Sequence, residues 1–194
     1  MRHIMRHIVR HIAYLPATGL LAFALAGCTS VPPAATPAVS VVNSLSFTNA
    51  MSGKRDGLRS AWPMNQLAQT TEQFPLAQIK QCDQTTSACS WGVLSAKRTF
   101  GKVRSVPGGV VLSYELVLDI ERSQRAHGKA QNAGMTIPAD VPALQLKRTV
   151  RNEVTLEYGK VQRIELDHGI SYELCALRLD AERKAVDTCA IDYI

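Results

Sequence analysis

The group of residues closest to a catalytic site in this sequence is a histidine beside carboxylates, at Glu165, Asp167 and His168. A histidine within hydrogen-bond reach of a carboxylate can act as a general acid or base, as it does in hydrolases. This segment alternates like a β-strand, however, and neighbours along a strand point to opposite faces. We therefore expect His168 to be a partly buried structural side chain. A hydrolase that uses His168 is the minor alternative to a protein without catalytic activity.

Four cysteines, Cys82, Cys89, Cys175 and Cys189, form the second group of reactive side chains. Structural zinc sites typically use cysteine pairs about two to four residues apart, and redox sites use Cys-x-x-Cys. The spacings of seven and fourteen residues match neither pattern. Four cysteines allow three pairings. We predict two structural disulfides and expect the sequence neighbours to be the partners.

Arg148 and Asn152 are polar residues on the apolar side of an alternating segment. They share this side with four apolar residues, Leu146, Val150, Val154 and Leu156. A buried arginine needs a carboxylate or an anionic ligand, because an isolated buried charge is costly. Glu165 or Glu173 is the expected partner, unless this part of the sheet is open to water. In the third interpretation, Arg148 and Asn152 face a ligand.

The first 28 residues carry the most specific pattern in the chain. Three arginines lie within residues 1–10, residues 13–26 are apolar, and Leu25-Ala26-Gly27 precede Cys28. An apolar run of about 14 residues is shorter than the roughly 20 that span a bilayer as a helix, and it is typical of a signal peptide. Together these features resemble the signal peptide and lipobox of bacterial lipoproteins. An ordinary secretion signal with a chance cysteine is the alternative.

The resemblance implies that residues 1–27 are cleaved and that Cys28 becomes lipidated on its thiol and on its new α-amine. Two or more acyl chains hold a protein stably on a membrane. Thr29 stands where many inner-membrane lipoproteins have aspartate, which implies the outer membrane, with the periplasmic side favoured over the cell surface. An oxidising compartment agrees with two disulfides.

Histidine and charge content restrict cofactors and partners. Three of the five histidines lie in a repeat within residues 1–12, which the cleavage removes, so we expect no metal and no cofactor. Three of the 22 basic residues leave with the same segment, and 19 remain against 16 acidic residues. No long basic run is present, so we expect no nucleic-acid partner. Residues 28–40, rich in Pro and Ala, are predicted to be an extended tether, followed by one domain over 41–194.

Strict alternation of apolar and polar residues predicts the strands of this domain. A short strand within 41–60 is left open, and six others are predicted over 91–106, 110–120, 144–158, 161–168, 170–179 and 185–194. In the last hairpin, pairing Leu179 with Ala185 places Cys175 opposite Cys189. The fold class is therefore mainly β, an antiparallel meander of about six strands.

Two segments do not fit the strand pattern. Residues 64–82 have apolar residues at helical spacing and predict one or two short helices, interrupted at Pro75. Because a sheet with one apolar face needs a cover, the expected fold is a curved sheet against this helix, which makes α+β the alternative class, or a partly closed barrel. Residues 122–143 have no periodicity and predict a long loop, for which a disordered insertion is favoured over a binding loop.

These features favour an outer-membrane lipoprotein that is a non-catalytic binding or assembly module of the bacterial envelope. The membrane is reached through Cys28, and the partner is another envelope protein or an external macromolecule. The alternative is a carrier: in a barrel-like fold, the apolar face of 110–120 would line a cavity for a small amphiphile, with Arg148 at its head group.

Overall fold

The computed structural model describes residues 38–64, 69–126 and 134–191, and these residues form antiparallel β-sheets without an α-helix. The predicted signal peptide and Cys28 lie outside the described residues. Eleven strands are present in the described part: β1 (Ala38–Thr48), β2 (Arg55–Met64), β3 (Thr70–Gln73), β4 (Ala77–Cys82), β5 (Cys89–Val106), β6 (Gly109–Glu121), β7 (Ser123–Arg125), β8 (Gly134–Thr136), β9 (Leu146–Glu157), β10 (Gln162–Glu165) and β11 (Ser171–Leu179). A 3-10 turn, Asp167–Gly169, lies between β10 and β11.

The strands build two main sheets. The first sheet has the order β10-β11-β1-β2, and in the second sheet β3 and β4 both pair with β5, followed by β6 and β9. The second sheet follows the chain as a meander, as predicted. The first does not, because β1 lies between β2 and β11, with Ala38 opposite Leu179 and Ser46 opposite Ser171.

The two sheets pack face to face, and the core lies between them. The first sheet contributes apolar side chains of β1 and β11, and the second those of β5, β6 and β9. Strand β6 is the clearest case, because alternate residues are fully or almost fully buried: Val110, Leu112, Tyr114, Leu116, Leu118 and Ile120. The prediction of a mainly β, antiparallel domain is therefore confirmed. Neither sheet closes into a barrel.

The helix prediction for residues 64–82 is wrong in the described part. Strands β3 and β4 occupy it, on either side of Pro75, and both pair with the 18-residue strand β5. A long strand offers backbone partners along its whole length, and a proline cannot continue a helix. The cover for the apolar face of β6 is the first sheet.

The C-terminal hairpin is confirmed only at its start. Leu179 pairs with Ala185 as predicted, through a single bridge. Residues 186–191 then form no strand, and Ile191 is buried beside Val42 and Cys175 on the outer side of the first sheet. Because packing against that surface replaces strand pairing, the ladder ends after one bridge.

Strand register defines two ends of this sandwich. At one, the tether end, the chain enters at Ala38, and the turns at 107–108 and 180–184 lie there. At the other, the loop end, lie the turn 49–54, the turn between Cys82 and Cys89, and the turn Asp167–Gly169. Of the residues that sequence analysis selected for chemistry, Cys82, Cys89, Asp167 and His168 lie at this loop end and Arg148 and Asn152 lie on the edge strand β9, whereas Cys175 lies in β11 and Cys189 in the C-terminal segment.

Candidate functional site

Both predicted disulfides are present. Cys82 and Cys89 are directly opposite each other in the β4–β5 pair, with Cα atoms 3.9 Å apart. Cys175 and Cys189 join β11 to the C-terminal segment, with Cα atoms 6.0 Å apart. The chain-entropy model assigns a disulfide over a loop of this second size about 3 kcal/mol. The first disulfide braces the loop end and the second fixes the C-terminal segment on the first sheet.

Asp167 and His168 do not form the acid–base pair that the hydrolase alternative would require. Strand β10 ends at Glu165, so both residues lie in the 3-10 turn, where His168 has a left-handed backbone with φ of 58°. The His168 Nδ1 atom shares a hydrogen bond with Oε1 of Gln81. His168 is half-buried, as predicted, but it lies in a turn and not on the apolar face of a strand.

Asp167 binds Arg148, which corrects the expectation of Glu165 or Glu173 as the partner of that arginine. Arg148 is 42% exposed and Asp167 is 46% exposed, so the ion pair lies in water at the open margin of β9. Glu165 and Glu173 both bind Arg163 instead.

Asn152 is also exposed, and it does not lie in the core. Its Oδ1 accepts the backbone N–H of Glu153 at 2.9 Å. Asn152 lines a shallow trough of about 420 Å³ on the second sheet, beside Tyr114, whose pKa is raised by burial and lowered in part by the Asn152 amide. Arg148 and Asn152 are thus brought to the same strand margin, and their role toward a ligand stays a prediction.

The loop end brings together segments that are far apart in the sequence. Backbone bonds join the 49–54 turn to β4, because Asn49 bridges Ile79 and the Ala50 N–H donates to the Gln78 carbonyl at 3.0 Å. Arg55 donates to the Gly169 carbonyl at 2.5 Å and also to the Ser171 hydroxyl, which fixes the neighbouring turn. The loop end is therefore a braced surface.

Residues 122–143 belong to the same end, and the preference for a disordered insertion is wrong for their described part. Strands β7 and β8 form a small hairpin within it, with 127–133 outside the described residues. Beyond β8 the segment returns to β5, where the Trp91 N–H donates to the Pro142 carbonyl at 2.9 Å and the Leu144 N–H to the Trp91 carbonyl at 2.6 Å. Buried Ile137 and Leu144 anchor it.

A depression of about 400 Å³ opens between these loop-end segments. Its walls supply an ammonium group, amides and an imidazole, which suit hydrogen bonding and contact with an anionic group: Lys80, Gln81, Gln84 and His168. The Lys80 ammonium lies 5.4 Å from the centre of the Trp91 ring, a cation–π distance. Within the described residues, no three His, Cys, Asp or Glu side chains are placed to hold a metal ion.

Sequence analysis missed a buried ion pair on the opposite side of the sandwich from β9. Arg98 is fully buried and binds the Glu72 carboxylate. The same Glu72 oxygen accepts from the Ser60 hydroxyl at 2.7 Å and from the Trp62 indole at 3.1 Å. Glu72 thus connects β2 of the first sheet with β5 of the second.

This arrangement, the Glu72 network, extends into the core. The Asn43 amide donates to the Ser60 hydroxyl at 2.9 Å, and the Tyr172 hydroxyl donates to Asn43 at 3.3 Å. Burial raises the pKa of Tyr172 well above its ordinary value. The position of Arg98 in the strand could have indicated its burial, because Arg98 lies on the same face of β5 as Ala96 and Phe100, which are both buried.

Comparison with protein-family models, with curated proteins and with solved structures finds no match for this chain. Among the described residues, no helix has the length and apolar character needed to cross a membrane.

Proposed function

We propose that this chain is an outer-membrane lipoprotein, anchored through Cys28, whose domain is a non-catalytic module that binds another envelope protein or an external macromolecule. We further propose that the loop end is its binding surface. One observation carries this proposal. Four segments that are far apart in the sequence, 49–54, 82–89, 122–143 and 167–169, join into one braced surface. This surface lies opposite the end where the chain enters at Ala38.

Asp167 and His168, the candidate acid and base, both hold structural partners, and this supports a role in binding over one in catalysis. A general base must lie within hydrogen-bond reach of the proton that it abstracts, and a carboxylate commonly orients a histidine in this role. Asp167 binds Arg148, and His168 binds the neutral amide of Gln81. Both groups position the loop end and leave no proton-transfer pair with each other.

The position of the tether supports the choice of surface. Nine residues lie between Cys28 and Ala38, and an extended chain over these ten residue steps reaches about 31 Å at 3.1 Å per residue. A tether that joins the domain at one end leaves the opposite end unobstructed. A partner in the periplasm would then contact the hairpin 82–89, the segment 122–143 and the turn 167–169.

The carrier alternative lacks comparable support. It required the apolar face of residues 110–120 to line a cavity. In the sandwich this face packs against β1 and β11, and Leu112, Leu116 and Leu118 are at most 1% exposed. An amphiphile would have to displace the first sheet, so we favour the binding module.

The test uses a photo-crosslinking amino acid in the full chain, expressed in the bacterium that produces it. Substitution at Gln84, at the loop end, is expected to give a discrete cross-linked product, and a matched substitution at Glu182, at the tether end, is not. Equal products at both positions, or none at Gln84, would contradict the binding surface. Labelling with palmitate, lost in Cys28→Ser, tests the anchor separately.

A further inference from the structure

Strand β9 presents an open edge to solvent. It pairs with β6 in an unbroken register from Leu146, opposite Ile120, to Glu157, opposite Gly109, and no described residue pairs with its other edge. Proline, β-bulges and charged side chains are common protection for exposed edges, and of these β9 has only charged side chains. Its outward backbone groups can therefore accept another strand.

The outward backbone groups belong to the odd-numbered residues. The N–H of Tyr158 donates to the Gly108 carbonyl, and antiparallel bonds alternate along a strand, so the even-numbered residues of β9 bond to β6. The N–H of Glu153 agrees with this assignment, because it donates to the Asn152 side chain and not to β6, and the Asn152 side chain would have to release it to a partner strand.

Charge is segregated along this edge. The residues with outward backbone groups are, in order, Lys147, Thr149, Arg151, Glu153, Thr155 and Glu157. The first half is positive and the second half is negative, so an antiparallel strand with the same sequence is its electrostatic complement. The Glu153 carboxylate has no partner among the described residues, and Arg151 binds Glu115 through Nε alone, at 2.5 Å. Lys147 and Glu157 hold exposed ion pairs with Glu121 and Lys160, which water screens and a partner strand can exchange.

We propose that β9 pairs antiparallel with β9 of a second copy of this chain, about a twofold axis at Asn152. In this register Arg151 faces Glu153 of the second copy and Lys147 faces Glu157, and symmetry repeats each pair. The other direct pairs are Thr149 with Thr155, Val150 with Val154 and Arg148 with Leu156. The two second sheets then become one continuous sheet with roughly a dozen new backbone hydrogen bonds.

The same charges select the register. A shift by two residues in one direction places Arg151 opposite Arg151 of the second copy, and a shift in the other direction places Glu153 opposite Glu153. Like charges directly opposite each other destabilise a strand pair. The order of charges along β9 thus favours one alignment with a second copy of this strand. An unrelated strand would need the same order, positive residues followed by negative ones, to pair equally well.

The register is tested by cysteine cross-linking of the full chain in its membrane. Asn152 lies on the axis, where opposite Cα atoms in a pair without hydrogen bonds are about 4.5 Å apart, so Asn152→Cys is expected to form a disulfide-linked dimer. Thr149→Cys is the matched control, because six residues separate its two copies along the strand direction, roughly 20 Å. A monomeric Asn152→Cys chain, or equal linkage at Thr149, would overturn the proposal.

The charge pairing is tested by reversal in the Asn152→Cys background. Glu153→Arg places two arginines opposite each other and Arg151→Glu places two glutamates, and each variant alone is expected to lose about tenfold in dimer yield. Co-expression of the two variants, carrying tags of different size, restores both ion pairs and is expected to give the mixed dimer. Unchanged yield in the single variants, or failure of the mixed dimer to exceed them, would refute the pairing.

Discussion

The two long sides of the sandwich carry the same type of ion pair in opposite surroundings. On the β2–β3 side, Arg98 is fully buried against Glu72, whose side chain is 22% exposed. On the β9–β10 side, Arg148 and Asp167 are both more than 40% exposed. One side is closed by a network that joins the two sheets, and the other ends in water.

This contrast assigns different roles to the two sides: the buried side stabilises the fold, and the exposed side is available for association. A buried arginine that loses its carboxylate remains as an uncompensated charge, so the closed side should tolerate few changes. An exposed ion pair contributes little because water screens it. The open side is therefore free to vary and to meet a partner strand without a cost to the fold.

The largest effect is expected for Glu72→Ala. This change leaves Arg98 buried without an anion and removes the acceptor of Ser60 and Trp62, so we expect the free energy of unfolding to fall by about 3–5 kcal/mol. Urea unfolding of the disulfide-bonded chain, followed by tryptophan fluorescence, measures the loss.

The control for this prediction removes both charges together. Glu72→Leu combined with Arg98→Met leaves no buried ion, and we expect it to lose at most about 2 kcal/mol, from the unsatisfied donors. If the double variant lost as much as Glu72→Ala, the cost would not come from the uncompensated charge.

A smaller effect with a distinct pH dependence is expected for Tyr172→Phe. Loss of the hydroxyl that donates to Asn43 should cost about 1 kcal/mol at neutral pH. Because burial raises the pKa of Tyr172 above its ordinary value of 10, its contribution is complete below pH 10 and is lost as the pH rises further, where the unfolded chain ionises first. The wild type should thus lose more stability than the variant between pH 7 and about pH 11. Parallel profiles would rule out this role for Tyr172.

The smallest effect is expected on the open side, for Asp167→Ala. It removes a carboxylate from an arginine, as Glu72→Ala does, but the expected loss is about 0.5 kcal/mol or less. The difference from wild type should vanish in about 1 M salt. A loss as large as that of Glu72→Ala would mean that exposure does not distinguish the two sides.

Local patterns predicted the second sheet well, since each signal lies within one strand or one turn. The alternation of 110–120 and of 144–158 matches β6 and β9 closely, and glycines mark the turn between β5 and β6. The predicted alignment of Leu179 with Ala185 is also found. Such features depend on neighbours in the chain, and the period of two is enough to assign them.

Long-range pairing explains the errors. Residues 70–82 carry weak helical spacing, but β5 offers them backbone partners further along the chain, from Phe100 opposite Thr70 to Cys89 opposite Cys82. The burial of Arg98 was missed because its carboxylate, Glu72, lies on another strand. Arg148 found Asp167 in a turn that sequence analysis had treated as a strand. In each case the decisive partner is remote in sequence.

The pairing of β1 with β11 has a consequence for the order of folding. Ala38 meets Leu179, so the first strand of the domain waits for one of the last before the sheet between them is complete. Contacts of such separation slow folding, because the intervening chain must be closed into a loop first. If the chain crosses a membrane amino-terminus first, as the proposed signal peptide implies, the first sheet would stay incomplete until almost all of the chain has crossed, and the chain would remain unfolded enough to pass through a channel.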